Sequence, residues 1–381
     1  MRQENGSFAD SGAVHRFPCA RCGSSLNYSP GVSSLVCSHC GHAQEVPSIK
    51  GEMVELDFDA WLEKAEADGR MQEVTVAACA GCGASIEPER GVVAMTCPFC
   101  GLAMDLQGTS RRQIKPTGLL PFKVEAKQAR EHFRTWVSSR WFAPNRLKRA
   151  AREETPLSGL YVPYWTFDAR TESDYRGQRG VHYQVQETYT VMEGGRSVQK
   201  TRTVTRTRWS PAHGHVSHGF DDVLVMASDQ LPGEMADKLE PWDLEHLVAY
   251  DPGYVGGFRA QSYQVGLADG FTHAKGKMVQ AIEEMVRRQI GGDVQRIDHL
   301  DTRYDDITFK HVLLPLWLST YRFGQKSYRF LINGRTGEVQ GERPYSWVKI
   351  TFAVLAVLAL LGGLWLVFGE SMVETLPDPQ T

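Results

Sequence analysis

The chain has 381 residues, with 42 Lys and Arg against 45 Asp and Glu and a formal net charge of −3. That length exceeds one typical domain and allows a substantial core plus small modules, while the charge balance excludes a global pull toward nucleic acid or anionic lipid. Hydrophobic content of 42% and charged content of 23% are ordinary for a folded protein.

The opening stretch, MRQENGSFADSGAVHRF, is polar and has no apolar core, so no secretory signal is expected. All eight cysteines follow, in CxxC pairs between Cys19 and Cys100. Without an export signal that pattern means metal rather than disulfides. Cys19, Cys22, Cys37 and Cys40 recur sixty positions later as Cys79, Cys82, Cys97 and Cys100. CARCGSSL matches CAGCGASI and VCSHCGHAQEV matches TCPFCGLAMDL, so one small module is present twice. Glycine after each second cysteine (Gly23, Gly41, Gly83, Gly101) allows the positive-φ exit that a metal knuckle needs. In each copy two knuckles fourteen residues apart complete a tetrahedral S4 shell with no open position, a structural site rather than a catalytic one. Two Zn2+ ions are expected, one per ribbon. A rubredoxin-like iron site, to which CPFCG at 97–101 bears some likeness, remains the alternative. His39 and His42 lie nearby, but the thiolates already fill the shell.

The expected organisation is multidomain: zinc ribbons at 14–48 and 74–108, a helical spacer at 49–73, and an α+β domain with mostly antiparallel sheet at 110–345. In the spacer, Phe58, Trp61, Leu62 and Ala65 share a helical face behind an Asp57 cap, a helix suited to pack on one ribbon. Residues 125–140 predict an amphipathic helix, and Pro144 starts a second, basic one. Residues 160–226 alternate as strands around a turn at 193–196. If Gly194-Gly195 is a two-residue loop, Glu187 faces Arg202, Tyr183 faces Arg206 and Tyr189 faces Lys200, with Thr188–Thr201 and Gln186–Thr203 behind. Neither face is plainly apolar, so the 181–208 hairpin should project into solvent as a docking arm. Leu267, Phe271, Ala274, Met278, Ile282, Met285 and Ile290 form a helical stripe ending at Gly291-Gly292. Strands follow, with Asn333-Gly334 as a turn signal, and YVPYWTFDAR (161–170) echoes LLPLWLSTYR (313–322) in its Pro, Trp and Arg spacing.

Residues 350–369 contain no charged side chain, and twenty helical residues reach about 30 Å, the thickness of a hydrocarbon core. A transmembrane helix at 349–369 is therefore expected, with Tyr345, Trp347 and Trp365 near the interfaces. Arg329, Arg335, Arg343 and Lys349 precede it, whereas the short tail 370–381 carries Glu370, Glu374 and Asp378. The positive-inside bias puts the N-terminal bulk in the cytoplasm and the tail outside.

Other clusters carry weaker signals. Ribbon 1 has Arg16 and Arg21 against Glu45, and ribbon 2 has Arg90 against Glu87, Glu89 and Asp105. Neither shows the basic stripe that nucleic acid requires, so protein contact or capping of the larger domain fits better. Arg140, Arg146, Lys148, Arg149 and Arg152 surround Trp141 and Phe142, which reads as a solvated helix face or as a surface lying on anionic headgroups. His213, His215 and His218, with His182, suggest a second metal site only weakly. GFTHAKGKM (270–278) has the wrong spacing and context for a phosphate loop, and no GxSxG, HExxH or kinase-like set is present.

The two CxxCG units, LLPF (119–122), WFAP (141–144), GLYVPYWTFDA (159–169), EPWDL (240–244), LLPLW (313–317), NGRTGEVQGERP (333–344) and the terminal apolar helix together resemble a bacterial family. Its members are membrane-anchored double zinc-ribbon proteins, labelled TFIIB-type zinc ribbons and also primosomal protein N′ or superfamily II helicase-like. The resemblance covers nearly the whole chain and implies a link to envelope stress, beside SPFH and phage-shock-type partner proteins. Motor motifs are missing, so helicase activity is not carried over. The expectation is a non-enzymatic membrane adaptor; the alternative is a membrane-tethered nucleic-acid binder linked to replication.

Overall fold

A computed structural model describes residues 17–32, 34–46, 53–64, 71–87, 94–105, 108–150, 157–323 and 326–373. Ala65, Arg90, Arg152 and the tail 374–381 lie outside the described residues, as does the side chain of Arg149.

The first module is an antiparallel sheet of β1 (Phe17–Pro18), β2 (Ser25–Ser29), β3 (Ser34–Cys37) and β4 (Ala43–Glu45). The linker contributes β5 (Leu56–Asp57) and α1 (Phe58–Lys64). Asp57 caps this helix by accepting the Ala60 N–H at 2.7 Å. Among the described residues, the helix packs on the large domain rather than on a ribbon. Phe58 lies 4.7 Å from the ring of Phe271 and Trp61 5.8 Å from Phe309, while Leu62 faces solvent. The aromatic face of α1 finds more apolar area on the large domain than a ribbon offers.

The second module spans β6 (Met71–Ala78), β7 (Ser85–Ile86), β8 (Ala94–Thr96) and β9 (Ala103–Asp105), and β6 also pairs with β10 (Thr109–Ile114). After β11 (Gly118–Leu119) come α2 (Ala126–Ser139) and α3 (Asn145–Ala150). In α2, Ala129, Phe133 and Val137 recur every fourth residue and are buried, Phe133 stacking on Phe330 at 3.6 Å.

Two strands of unusual length dominate the next segment: β12 (Ser158–Glu193) and β13 (Arg196–Met226), joined by the Gly194-Gly195 turn with φ of 57° and 79°. Both values match the primed hairpin turn that only glycine and a few other residues accept easily. The short α4 (Gly233–Asp237), β14 (Val248–Ala249), α5 (Pro252–Val255) and β15 (Arg259–Ala260) lead into α6 (Leu267–Ile290). The chain closes with β16 (Val294–Phe323), β17 (Lys326–Asn333), β18 (Val339–Gly341) and α7 (Trp347–Val373).

The central sheet runs β13-β12-β16-β11-β14, with β5, β15, β17 and β18 attached. It is antiparallel except where β11 meets β16 and β15 meets β12. Strand alternation sends Leu160, Val162 and Tyr164 into one apolar cluster and Tyr161 into another. The same happens on β16, where Leu314, Leu316 and Leu318 face one way and Leu313 and Trp317 the other. The PxW echo falls on neighbouring strands: Pro163 pairs with Leu313 and Tyr161 with Pro315, so the two copies are related about the Val162–Leu314 pair. Both indoles donate to distant carbonyls, Trp165 to Val265 at 3.0 Å and Trp317 to Val124 at 2.9 Å.

Helix α6 lies along the long strands. Leu267, Phe271, Ala274, Met278, Ile282 and Ile290 are buried as expected, but Val286 is the buried residue of the last turns and Met285 only half so. The inward row steps by four from Met278 to Ile290, which selects Val286. Gly291 ends the helix at φ 65°, and Gly292 brings the chain so close that a Cβ would sit 2.7 Å from the Gly180 carbonyl.

Helix α7 has 27 residues, about 40 Å of rise. Its segment Trp347–Trp365 is long and apolar enough to cross a membrane, and none of that window is buried against the rest of the protein.

Candidate metal centres

All four knuckles are built alike. The first cysteine of each pair donates its N–H five residues ahead: Cys19 to Ser24, Cys37 to His42, Cys79 to Ala84 and Cys97 to Leu102. Its carbonyl then accepts from the following glycine, Gly23, Gly41, Gly83 or Gly101, at 2.7–3.0 Å. Those glycines take φ of 74°, 69°, 76° and 76°, the left-handed exit expected from sequence.

The loops bring Cys19, Cys22, Cys37 and Cys40 into one group and Cys79, Cys82, Cys97 and Cys100 into a second. In each group the sulfurs all lie within 4.8 Å of one another. Cys19–Cys40 and Cys22–Cys37 are 3.6 and 3.5 Å apart, Cys79–Cys100 and Cys82–Cys97 3.6 and 3.7 Å. A tetrahedron with metal–sulfur bonds of about 2.3 Å has sulfur edges of about 3.8 Å, so both sets fit one ion. Four thiols this close cannot all ionise freely. Backbone N–H groups led by that of Cys40 lower Cys37 to about 6, whereas Cys22, despite the Ser24 amide, is pushed up to about 12 by neighbouring sulfurs and burial. In the second group the Cys82 and Gly81 amides outweigh burial and hold Cys79 at about 7, and burial raises Cys97 far above a normal thiol. A divalent cation resolves this conflict by taking all four as thiolates.

The modules grip opposite faces of the central sheet. Cys19, Leu26, Tyr28, Leu35 and Cys37 join the cluster containing Tyr161 and Trp317. Cys79, Ile86, Cys97, Phe99 and Met104 join the one containing Val162 and Leu314. Polar links fix both seats: the Tyr28 N–H donates to Gly256 at 2.8 Å, Gln264 donates to the Gly83 carbonyl at 3.0 Å, and Thr320 to the Phe99 carbonyl at 3.2 Å. Glu87 is held at this second seat by the Ser262 hydroxyl at 3.0 Å, and burial pushes its carboxyl up.

His39 is exposed and His42 half-buried, and neither belongs to the sulfur groups. Among the described residues, His182, His213, His215 and His218 fall in no group that could hold a metal ion. His215 sits between Asp174 and Glu172, at 2.9 and 2.6 Å, whose hydrogen bonds raise its pKa; His182 bonds Thr207, and His218 packs on Phe220. Lys277 of the phosphate-loop-like stretch lies within α6 and binds the Leu224 carbonyl and Asp237 at 2.8 and 2.7 Å. The hairpin pairs stand in the register that a two-residue loop dictates, Glu187–Arg202, Tyr183–Arg206 and Tyr189–Lys200 included.

Sequence reasoning missed a buried cation. Lys310, 7% exposed, reaches Asp222 at 2.8 Å and Glu55 at 3.0 Å, with Asp168 at 4.0 Å. Burial opposes its charge, but the hydrogen bonds of Asp222 and Glu55 raise its pKa. The β-bulge between Phe167 and Ala169 makes the site: Asp222, at φ 50°, donates its N–H to Asp168 at 2.6 Å.

No protein-family model and no solved structure matches the chain. It is 27% identical over 360 residues to the uncharacterized protein YdjG of Bacillus subtilis (strain 168), a match spanning 91% of this chain and 98% of that protein.

Proposed function

We propose that the protein is a non-enzymatic, membrane-anchored adaptor whose two ribbons each hold Zn2+ and whose β12–β13 arm docks a partner protein at the cytoplasmic face. Zinc suits the closed S4 shells, which offer no position for water or substrate. The apolar segment of α7 supplies the anchor, and the basic residues before it favour a cytoplasmic bulk. SPFH and phage-shock-type proteins are the first partners to test, on the resemblance of the sequence motifs.

The arm carries this reading. Beyond the Gly180–Val294 pair β16 has ended, and β12 and β13 continue alone for roughly 40 Å to the turn. Val181, Tyr183, Tyr189, Met192, Val198 and Trp209 all expose more than a third of their area there. An isolated two-stranded ribbon is marginal in water, and ordering each residue costs about 1–2 kcal/mol, so a long arm that adds little to the core is explained by what it binds. The Tyr and Arg side chains are pre-arranged: Arg202 and Arg206 both bond Glu187, Arg202 lies over Tyr189, and Arg208 over Tyr183.

Deleting residues 184–191 and 198–205 together shortens the arm without changing its facing pattern. Crosslinking in native membranes should capture a protein with the full chain and lose it with the shortened one; unchanged capture sinks the arm-docking role. A second reading has one specific observation behind it. Arg196, Lys200, Arg202, Arg206 and Arg208, against Glu187, all occupy one face by register, and a two-stranded ribbon fits the major groove. Nuclease-sensitive capture with a steep salt dependence would transfer the arm to nucleic acid.

A further inference from the structure

The corner between α2 and α3 is tied to the first turn of α7. Ser346 donates its N–H to the Phe142 carbonyl at 2.9 Å. Lys349 donates to the carbonyls of Trp141 and Ala143 at 3.2 and 2.9 Å and to Asn145 Oδ1 at 2.8 Å. These bonds hold the basic corner against the foot of the apolar helix, and they leave a groove between the two of about 530 Å³. That volume lies within the range of small-molecule sites, roughly 300–1,000 Å³.

The lining divides by chemistry. Phe352, Ala353 and Ala356 of α7 form a hydrocarbon wall, concave because the two alanines sit beside the larger ring. Trp141, 75% exposed, stands opposite, and Lys148 and Lys349 mark the polar end. Among the described residues, no carboxylate lines the groove. Lys349 uses three donors on the corner, whereas Lys148 is bonded to the Ser138 carbonyl alone among the described residues, at 2.7 Å. Its remaining N–H groups are available to a phosphate oxygen. Arg140 and Arg146 lie on the same corner.

We propose that this groove binds one anionic phospholipid, with its phosphate at Lys148 and an acyl chain along Phe352, Ala353 and Ala356. The proposal rests on α7 crossing the membrane. At the foot of such a helix, a phospholipid joins an anionic head to an apolar tail at the depth where this groove changes from charge to hydrocarbon.

The test uses the full chain reconstituted into vesicles of equal phosphatidylglycerol and phosphatidylcholine, then extracted in mild detergent for native mass spectrometry of retained lipid. Phosphatidylglycerol should be retained about fivefold over phosphatidylcholine, the ratio of one basic side chain at an anionic surface. Lys148→Ala should bring that ratio close to one. Ala356→Trp should do the same by filling the groove while every charge remains, and Lys200→Ala on the distant arm should leave it unchanged. Equal retention of the two lipids by the unaltered chain, or undiminished preference in Ala356→Trp, overturns the site. A chain released from vesicles by alkaline carbonate overturns the membrane span, and the groove with it; a chain that stays embedded without lipid preference overturns the groove alone.

Discussion

His311 lies in the sheet between Trp165 and Tyr263, 4% exposed, with Nδ1–H donating to the Ile114 carbonyl at 2.9 Å. Burial lowers its pKa to about 4. An unfolded histidine titrates near 6.5, so between these values the unfolded chain binds more protons. The stability this neutral ring contributes is therefore full above about pH 6.5 and is lost as pH falls toward 4. Between pH 7.5 and 4.5 the loss from this group is roughly 2–3 kcal/mol. Urea unfolding at the two pH values should show a smaller drop for His311→Gln than for the natural chain; equal drops would remove the histidine from the acid limb. No sequence signal marked His311, because its environment is assembled from Ile114, Trp165 and Tyr263. Lys310 was equally hidden, since Glu55, Asp168 and Asp222 reach it from three separate segments. The cysteines were legible because each knuckle is local: five residues and one glycine specify it.

Among the elements, the hairpin register could be read because a two-residue glycine turn fixes every pair beyond it. The length of the strands could not. Past Gly180 neither face offers an apolar stripe, and nothing in the residue pattern distinguishes one 36-residue strand from several short ones. Helix α6 shows how far periodicity reaches. It placed the buried face correctly but selected Met285 over Val286, one residue around the helix. Mutation resolves the difference. Ile282, fully buried against Tyr175 and Val286, should cost about 3 kcal/mol as Ile282→Ala. Met285→Ala should cost about 1 kcal/mol or less, as a partly exposed position. Denaturant midpoints check both, and equal losses would mean that the helix is rotated from its described seat.

At the scale of the molecule, the two modules are not separate beads on the chain. Their cysteines belong to the apolar clusters on the two faces of the central sheet, so metal and sheet should be lost together. Chelation at neutral pH is expected to release both ions and to raise hydrogen exchange within Leu160–Phe167 as well as in the ribbons. Unchanged protection in that strand would show that the sheet stands without its metal-held flanks. Sequence repeats revealed the duplication, but not that its copies sit on opposite sides of one sheet, because the strands between them are contributed much later in the chain.

That order of synthesis has a price. Both ribbons and the whole β12–β13 hairpin precede β16, the strand that pairs with β12, β11 and β5. At a ribosomal pace of about 5–20 residues per second, the stretch from Met226 to Val294 takes roughly 3–14 s. During that interval the inner edge of β12, from Ser158 to Gly180, is an unpaired template on a nascent chain. The partner it awaits ends at Phe323, and the apolar helix begins soon after at Trp347. Closure of the sheet therefore waits on the last third of the chain, and a delay in β16 leaves the β12–β13 hairpin open to pairing with its neighbours on the same polysome.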